Sequence, residues 1–464
     1  MCANAQKSNH KKELTMKKML LSMIAAMAAT LTSAATEYDL NKPFGFCTVS
    51  SRTDAASTYE VTGGGYHTYP VPEGFTGKVI TLTSNGQDMK GTIQNAIKQN
   101  DVVILDGSEG DFIVSENIGF ERGNKTILGI NNARLCTKWY ITDELRQALN
   151  DAGVMSQSTS SGTGGKLSNG ESVSEARELA TRQTIIDKTK DNSENYRKSG
   201  IFSLNKQNVI IRNITFVGPG SLDVGGNDLI SATGAKNCWI DHCEFIDGMD
   251  GNFDITKSSD FITVSWCIFR YTDRSYDHMN TNLIGGSDSE STGDLNTTFA
   301  FNWWGTGCKQ RMPMGRIGKI HMLNNYFSST TASTCINPRK NSEFLIEGNY
   351  FETGVKKYYS ESSATAVTWT NNNYIAEASS LPSSKGTTVT VPYEYTVAPY
   401  ADVPETAKAN AGATLFTGDP TGINAISNSA DAIINPPRYS LCGQRVDNSY
   451  KGIVIVKGKK IIQR

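Results

Sequence analysis

Short apolar runs recur through the middle of the chain, and their spacing restricts the fold more than any other feature of the sequence. Each run has the length of a β-strand and is rich in β-branched and aromatic residues, and successive runs end 22 to 36 residues apart. No segment of helical periodicity separates the runs, which argues against alternating strands and helices. Short strands that recur at this spacing, with Gly, Asn or Asp turns, are typical of a solenoid of stacked coils. The runs cover residues 209–216, 238–245, 262–269, 298–305, 320–327 and 344–351.

Equivalent positions in stacked coils form ladders, and one ladder is expected two residues before the end of each run. Its predicted members are Ile214, Cys243, Cys267, Trp303, Asn325 and Asn349. The chain has nine Cys and lacks metal-type CxxC pairs, so we interpret Cys243 and Cys267 as small buried residues rather than metal ligands. The longest step between runs predicts an insertion at residues 273–293.

Other segments flank or interrupt the solenoid, which is expected to occupy residues 36–434. Within residues 1–35, a basic stretch, a short apolar run and small residues follow one another as in a secretory signal peptide, so we expect secretion and no membrane insertion. Residues 88–99 predict a helical N-terminal cap with Asp88 as N-cap. Residues 142–198 predict a partly helical insertion around a Ser/Gly-rich linker. Residues 435–464 predict a C-terminal tail, either a sorting segment or a β-ribbon.

The charge balance restricts the partners. The formal net charge is −1, so the chain as a whole has no field that would recruit nucleic acid or an anionic membrane. A polyanionic substrate would therefore need a local cluster of basic residues. We expect no nucleic-acid partner and a monomeric protein.

Five short blocks in the central part of the chain resemble the pectate lyase family, and the resemblance as a whole covers roughly residues 60–130 and 200–400. One block alone would be weak evidence for this family, but five blocks in the family's order are specific evidence. The resemblance implies a right-handed, single-stranded parallel β-helix that cleaves (1→4)-α-D-galacturonan by β-elimination and leaves 4,5-unsaturated sugar ends. The blocks are WIDH (239–242), DGNFDI (250–255), TVSW (263–266), LIG (283–285) and RMPMGR (311–316).

Two aspartates of these blocks are candidate metal ligands. Asp250 and Asp254 are four residues apart in a strand-like segment, which predicts that their side chains share one face. Neighbouring carboxylates repel unless a cation lies between them, and calcium accepts several oxygen ligands in flexible geometry. The resemblance implies calcium ligands at both positions and adds Asp228 from the preceding coil. Some relatives have a further Asp at the position that Gly226 occupies here. Without the family pattern, Asp250 and Asp254 could simply be two solvated aspartates in a turn.

Two arginines are candidates for the chemistry. Arg311 and Arg316 would not share a face of a regular strand, which predicts a bend near Pro313. Taken alone they could both be surface residues. The resemblance implies that Arg311 is the catalytic base, which removes the C5 proton, and that Arg316 and Lys319 bind the substrate. An arginine base must act in its neutral form, which nearby cations favour.

One expected lysine is missing. Relatives have a Lys just before the Leu-Ile-Gly block, where it binds a second substrate carboxylate. We predict that Arg274 takes this role, because a guanidinium can bind a carboxylate through two hydrogen bonds, and Asn280 is the alternative. His242 is interpreted as structural, and a role for His278 stays open.

Three other functions remain as alternatives. A pectin lyase acts on methylated substrate without calcium, and its family members replace the calcium aspartates. A glycoside hydrolase would use two carboxylates and a water molecule, which Asp250 and Asp254 could imitate, but it would leave Arg311 unexplained. A polysaccharide-binding β-helix without catalysis would keep the ladders but would also have no use for Arg311.

Overall fold

The computed structural model describes residues 39–151, 180–181, 183–185, 187–188, 195–222, 226–276 and 278–416, and four strands beyond residue 437. The chain divides into two compact units, one that ends at Phe416 and one that begins at Thr417. The predicted signal peptide at residues 1–35 and the Ser/Gly-rich linker lie outside the described residues. The domain boundary expected after residue 434 stays a prediction.

Three parallel sheets form the first unit, which confirms the predicted parallel β-helix. Strands of successive coils pair in register within each sheet. The ten-stranded sheet contains Val79–Thr83, Val102–Asp106, Lys125–Ile130, Val209–Arg212, Lys236–Asp241, Asp260–Ser265, Thr297–Ala300, Lys319–Leu323, Glu343–Glu347 and Ala366–Trp369. The seven-stranded sheet contains Ile118–Gly119, Phe202–Leu204, Ile230–Thr233, Phe253–Thr256, Leu283–Ile284, Met314–Gly315 and Asn337–Pro338. The nine-stranded sheet contains Phe112–Val114, Arg134–Thr137, Thr215–Val217, Glu244–Ile246, Ile268–Arg270, Trp303–Trp304, Tyr326–Phe327, Tyr350–Phe351 and Tyr374–Ile375.

Each predicted apolar run is in fact two strands joined at a corner. The residue at the corner has a left-handed backbone, which non-glycine residues adopt only rarely. Asn tolerates this conformation best among non-glycine residues, but several corners are occupied by larger side chains. The unbroken apolar pattern therefore concealed a change from the ten-stranded to the nine-stranded sheet. The corner residues are Asn213 (φ 60°), His242 (φ 46°), Trp266 (φ 53°), Phe301 (φ 57°), Asn324 (φ 50°) and Gly348 (φ 67°).

A ladder of buried asparagines follows these corners. The side-chain oxygen of Asn325 accepts from the backbone N–H of Asn302 at 3.0 Å, and its amide donates to Asn349 at 2.9 Å. In the next step of the ladder, the side-chain oxygen of Asn373 accepts hydrogen bonds from the backbone N–H and the side-chain amide of Asn349. The prediction of Trp303 as a ladder member was wrong by one position. Trp303 pairs with Ile268, and the residue stacked next to Cys267 in the ladder is Asn302, whose side-chain oxygen accepts from the backbone N–H of Cys267.

His242 belongs to a buried ionic network in the ten-stranded sheet. Its Nδ1 lies 2.6 Å from Oδ2 of Asp241, and the same oxygen accepts a hydrogen bond from Nε of Arg212 at 2.7 Å. All three side chains are fully buried. Burial acts to raise the pKa of Asp241, but the charges of His242 and Arg212 outweigh it and hold that pKa below its ordinary value. These contacts support the structural interpretation of His242.

A helix covers the first coil, as predicted. The helix spans Lys90–Gln99 and buries Ile93, Ala96 and Ile97. It begins two residues later than expected; Asp88 still accepts a hydrogen bond from the backbone N–H of Lys90 at 3.0 Å. A second helix, Asp143–Asp151, lies in the predicted insertion and packs through Leu145 and Leu149 against a small apolar cluster.

The remaining elements are short. A third helix spans Val403–Asn410, and 3-10 turns occur at Gly45–Thr48, Gly107–Glu109, Asn195–Arg197 and Tyr400–Asp402. The second unit contains an antiparallel sheet formed by Arg438–Ser440, Arg445–Val446, Gly452–Val456 and Lys459–Gln463. No helix in the described part of the chain is long and apolar enough to cross a membrane.

The asparagine ladder predicts a large effect of a single substitution. Asn325→Ala removes four buried hydrogen bonds, and the backbone N–H of Asn302 loses its acceptor. We expect a loss of about 2–4 kcal/mol in the free energy of unfolding. The measurement is chemical denaturation, with the exposed turn substitution Asn371→Ala as control, expected to change stability by less than about 0.5 kcal/mol. Equal effects of the two variants would contradict the structural role of the ladder.

Candidate active site

The seven-stranded sheet aligns the residues that precede its strands. Asp228, Gly251, Asn280 and Arg311 each lie two or three residues before a strand of this sheet. Register pairs Ile230 with Phe253, so Asp228 lies beside Gly251 in the neighbouring coil. The backbone N–H of Asn282 donates to the carbonyl oxygen of Arg311 at 2.7 Å, which ties the next two coils together. The stacking therefore brings residues that are 83 positions apart in sequence (228 to 311) to one edge of the sheet.

Asp254 faces the same side from within a strand. It lies between Phe253 and Ile255, whose side chains point into the core, so its own side chain points outward. Its Oδ1 accepts a hydrogen bond from the backbone N–H of Leu283 at 2.9 Å. Asp250, in contrast, lies in the turn before the strand. The strand-face argument therefore did not apply to Asp250, although the turn brings it to the same region.

The carboxylates of Asp228 and Asp254 are buried close together. Burial raises the pKa of Asp228 to about 7, and the charge of Asp250 adds to the increase. Burial and the charge of Asp228 raise the pKa of Asp254 well above its ordinary value. One oxygen of Asp228 accepts a hydrogen bond from the Ser231 hydroxyl at 2.8 Å, while the other, Oδ1, is buried without a hydrogen-bond partner. Two such carboxylates are costly to keep ionised without a cation.

Asp250 has a partner that the sequence did not reveal. Nε2 of His278 lies 2.8 Å from its Oδ1. Burial acts to raise the pKa of Asp250, but the His278 hydrogen bond, with the charges of His278 and Arg311, holds that pKa below its ordinary value. His278 comes from the predicted insertion at residues 273–293, so the only sequence signal was its position just before the Leu-Ile-Gly block.

The space between the carboxylates fits a cation. A methyl group on Gly251 would lie 2.7 Å from Oδ1 of Asp228 and 3.0 Å from Oδ1 of Asp254, so the missing side chain leaves a small space that these oxygens border. Hard cations such as calcium prefer oxygen ligands of this kind. As the side chains stand, no group of three His, Cys, Asp or Glu residues in the described ranges is arranged around a metal ion. Asp250 is turned toward His278, while Asp228 and Asp254 both border the space over Gly251.

Arg311 lies with these carboxylates. Its positive charge counteracts the increase in the pKa values of Asp228 and Asp254 and, after His278, helps to lower the pKa of Asp250, so the guanidinium lies near all three carboxylates. The backbone of Arg311 is left-handed (φ 61°), and the peptide bond between Met312 and Pro313 is cis. The predicted bend near Pro313 is therefore present. A non-glycine residue held in this conformation is typical of sites where the surrounding structure fixes a functional side chain.

Arg316 lies at the opposite end of the short strand Met314–Gly315 from Arg311. Its Nη1 donates to the carbonyl oxygen of Gly285 at 2.9 Å, and its Nε lies 3.1 Å from Oδ1 of Asp288. Asp288 belongs to the exposed loop that follows the Leu-Ile-Gly block. The Arg316 side chain is 18% exposed, so a substrate carboxylate could reach it only in competition with Asp288.

The structure does not bring Lys319 to this site. Lys319 begins a strand of the ten-stranded sheet, whereas the aspartates lie along the seven-stranded sheet. Its ammonium is buried and donates to the carbonyl oxygen of Thr390 at 2.9 Å, with Glu343 at 3.8 Å. The chain turns a corner at Ile317, which has φ 68°, so Lys319 leaves the face that carries Arg316.

Arg274 also lies apart from the aspartates. Its guanidinium lies over the Tyr140 ring, 5.5 Å from the ring centroid, in a pocket formed with the start of the helix Asp143–Asp151. Asn280, the alternative, is buried in line with Asp228 and Gly251 and has a side-chain oxygen without a hydrogen-bond partner. Position in the sheet thus favours Asn280 over Arg274 for the place of the missing lysine.

Comparison with known proteins identifies the family. The profile of the family described as pectate lyase matches residues 155–415. Pectate lyase A of Aspergillus niger is 34% identical over 226 residues, which are 47% of this chain and 65% of that protein. Pectate trisaccharide-lyase of Bacillus licheniformis is 33% identical over 223 residues, which are 46% of this chain and 62% of that protein. The match thus spans slightly less than two thirds of the length of these relatives.

Solved structures that align with this chain include pectate lyases. A Bacillus subtilis pectate lyase variant aligns with a TM-score of 0.48 and 18% identity, covering 80% of this chain and 99% of that one. A Bacillus pectate lyase in complex with trigalacturonate aligns with a TM-score of 0.48 and 21% identity, covering 80% and 98%. The family profile covers more than half of the 464 residues and includes every aspartate and arginine of the site. The chain therefore belongs to the pectate lyase family.

Proposed function

We propose that this protein is a secreted, calcium-dependent pectate lyase that cleaves (1→4)-α-D-galacturonan by β-elimination and releases 4,5-unsaturated oligogalacturonides. The observation that carries the proposal is the buried pair Asp228 and Asp254, whose pKa values are raised by burial and mutual repulsion, with Arg311 close enough for its charge to counteract part of that increase. Family membership supports the reaction class. The signal-peptide pattern at residues 1–35 supports secretion.

The calcium ligands in this proposal are Asp228, Asp250 and Asp254. The unpartnered oxygen of Asp228 and the space over Gly251 support the first and the last. Asp250 would exchange its contact with His278 for the cation. When bound, calcium would supply the positive charge that neutralises the substrate carboxylate and favours the negative charge developing at C5.

Arg311 is the proposed base. The proton on C5 is adjacent to a carboxylate and is very weakly acidic, so its removal needs a strong base. Neutral guanidine is such a base, and the nearness of the Arg311 side chain to the three aspartates supports this role. The electron pair of the C5–H bond forms the C4–C5 double bond as the C4–O bond breaks. The departing oxygen keeps the electron pair of the C4–O bond and takes up a proton, so the net reaction moves one proton from C5 to the leaving hydroxyl. Arg316 would bind a uronate carboxylate through two parallel hydrogen bonds once Asp288 is displaced.

Ultraviolet absorbance of unsaturated product, measured on polygalacturonate with calcium or with chelator, separates this proposal from its alternatives. Calcium-dependent absorbance supports a pectate lyase. Absorbance that chelator leaves unchanged, and that is greater on methylated pectin, would indicate a pectin lyase. New reducing ends without absorbance would indicate a hydrolase, and neither product would indicate a binding protein.

The raised pKa of Asp228 predicts how stability depends on pH without metal. The pKa is about 7 in the folded protein and 3.8 as the ordinary value, so the folded state holds the proton more tightly. The contribution of Asp228 to stability is therefore greatest at low pH and falls as pH rises from about 4 to 7. Asp228→Asn removes this ionisation, and we expect it to stabilise the chelator-treated protein by roughly 1–3 kcal/mol at pH 8.

The same variant should lose the stabilisation that calcium gives to the wild type. Thermal unfolding in chelator and in calcium, at pH 5 and pH 8, is the measurement. The exposed Asp273→Asn serves as control and should follow the wild type. A lower melting temperature of Asp228→Asn in chelator at pH 8 would show that the carboxylate is not under repulsion.

The assignment of the base predicts a selective loss of turnover. Arg311→Ala should lower kcat by at least about 10²-fold, because proton abstraction loses its acceptor. Calcium should still raise the melting temperature, since the three aspartates remain. Arg122→Ala, an exposed arginine in the N-terminal part of the solenoid, is the matched control and should keep full activity. A near-normal rate for Arg311→Ala would reject the assigned base.

A further inference from the structure

A second polar cavity lies farther along the same face of the solenoid. It has a volume of about 480 Å³ and is lined on one side by Lys356, Lys357, Tyr358 and Tyr359. Residues 380–383 form the other side. The cavity thus combines ammonium groups with aromatic rings, the two features that bind charged sugars.

The register connects this cavity to Arg311. Ile336 pairs with Tyr359, and Asn337 pairs with Met314, so the coil that contains the tyrosines continues the seven-stranded sheet. Counting back along these coils places Lys357 in line with Thr334 and Arg311. Neighbouring coils are separated by about 4.8 Å, so Lys357 lies about 10 Å from Arg311 along the sheet.

The lysines are available to an anion. Both are exposed, and neither lies within salt-bridge distance of a carboxylate in the part of the chain that the structure describes. Their neighbour Glu361 is paired with Lys385 at 2.7 Å instead. The coil between them and Arg311 presents Ser333 and Thr334, which are small and uncharged, so no negative group interrupts the path.

Contacts with core residues hold the rings of Tyr358 and Tyr359 in place. The Tyr359 ring meets Trp369 edge-on at 5.3 Å, and Tyr358 lies 6.2 Å from Phe351. Both tyrosines are only partly buried and rest against the core. Rings fixed in this way lose little conformational freedom when a sugar stacks on them.

We propose that Lys356, Lys357 and the two tyrosines form a distal subsite for a uronate of the same polymer whose backbone is cut beside Arg311. This inference rests on the proposed function. A galacturonan carries one carboxylate per sugar, so a chain gripped at Arg311 presents further carboxylates along the sheet. The subsite would favour long substrates over digalacturonate, because a dimer cut beside Arg311 has only one sugar on each side of the broken bond and does not extend to it.

The test compares substrates of different length. Lys356→Ala/Lys357→Ala should raise KM for polygalacturonate at least about fivefold with kcat unchanged, and should leave kcat/KM for digalacturonate unchanged. Lys356→Arg/Lys357→Arg should keep the wild-type KM. Lys78→Ala/Lys236→Ala, which removes two exposed lysines beside the ten-stranded sheet, is the charge-matched control. An unchanged KM of the first variant on the polymer, or an equal loss on both substrates, would overturn the subsite.

Affinity electrophoresis in gels that contain polygalacturonate separates this inference from the proposed function. Retardation of the wild type that is lost in Lys356→Ala/Lys357→Ala and kept in Lys78→Ala/Lys236→Ala supports the subsite even if no unsaturated product is formed. Equal retardation of all three proteins contradicts it, whatever the enzymatic activity.

Discussion

Repulsion between two buried carboxylates is the constraint on which the site depends. Asp228 and Asp254 come from adjacent coils, and in water they would avoid each other. Here the stacked sheet fixes both backbones, and the absent side chain of Gly251 leaves a space between their oxygens. The result is a pair with raised pKa values whose repulsion a divalent cation would relieve. Binding of a cation between the two carboxylates would therefore raise the stability of the folded protein.

The solenoid provides the rigidity that such a site needs. Parallel register places equivalent residues of successive coils side by side, and buried ladders such as Asn302, Asn325 and Asn349 fix the corners between the sheets. Each ladder amide satisfies a backbone group of the preceding coil, so a shift of one coil would break several buried hydrogen bonds at once. The same geometry extends the polar edge from Asp228 past Arg311 to Lys357, which gives a linear polymer a linear surface.

Much of the fold could be predicted from the sequence because the signal is periodic. Repeat spacing indicated coils, and the family pattern identified Asp228, Asp254 and Arg311 as neighbours. The corners were not predictable from the same signal, because residues such as Trp266 and Phe301 adopt left-handed backbones without a Gly or Asn to mark them. A corner also explains why Lys319 lies apart from the aspartates: the chain turns at Ile317, two residues after the strand that leads to Arg316. The partners His278 and Asp288 lie in insertions without a repeat, where only tertiary structure decides what a side chain meets.

The most direct test of the account is the calcium affinity of Gly251→Ala, measured by titration calorimetry. A methyl group there would occupy the space between Asp228 and Asp254, whereas one on Gly119, a strand residue of the same sheet, meets no atom within 4 Å. We predict that the wild type and Gly119→Ala bind calcium with equal affinity and that Gly251→Ala binds at least about tenfold more weakly, a difference of about 1.4 kcal/mol. Equal affinity of Gly251→Ala, or no calcium binding by the wild type, would contradict the central claim that these carboxylates form a cation site.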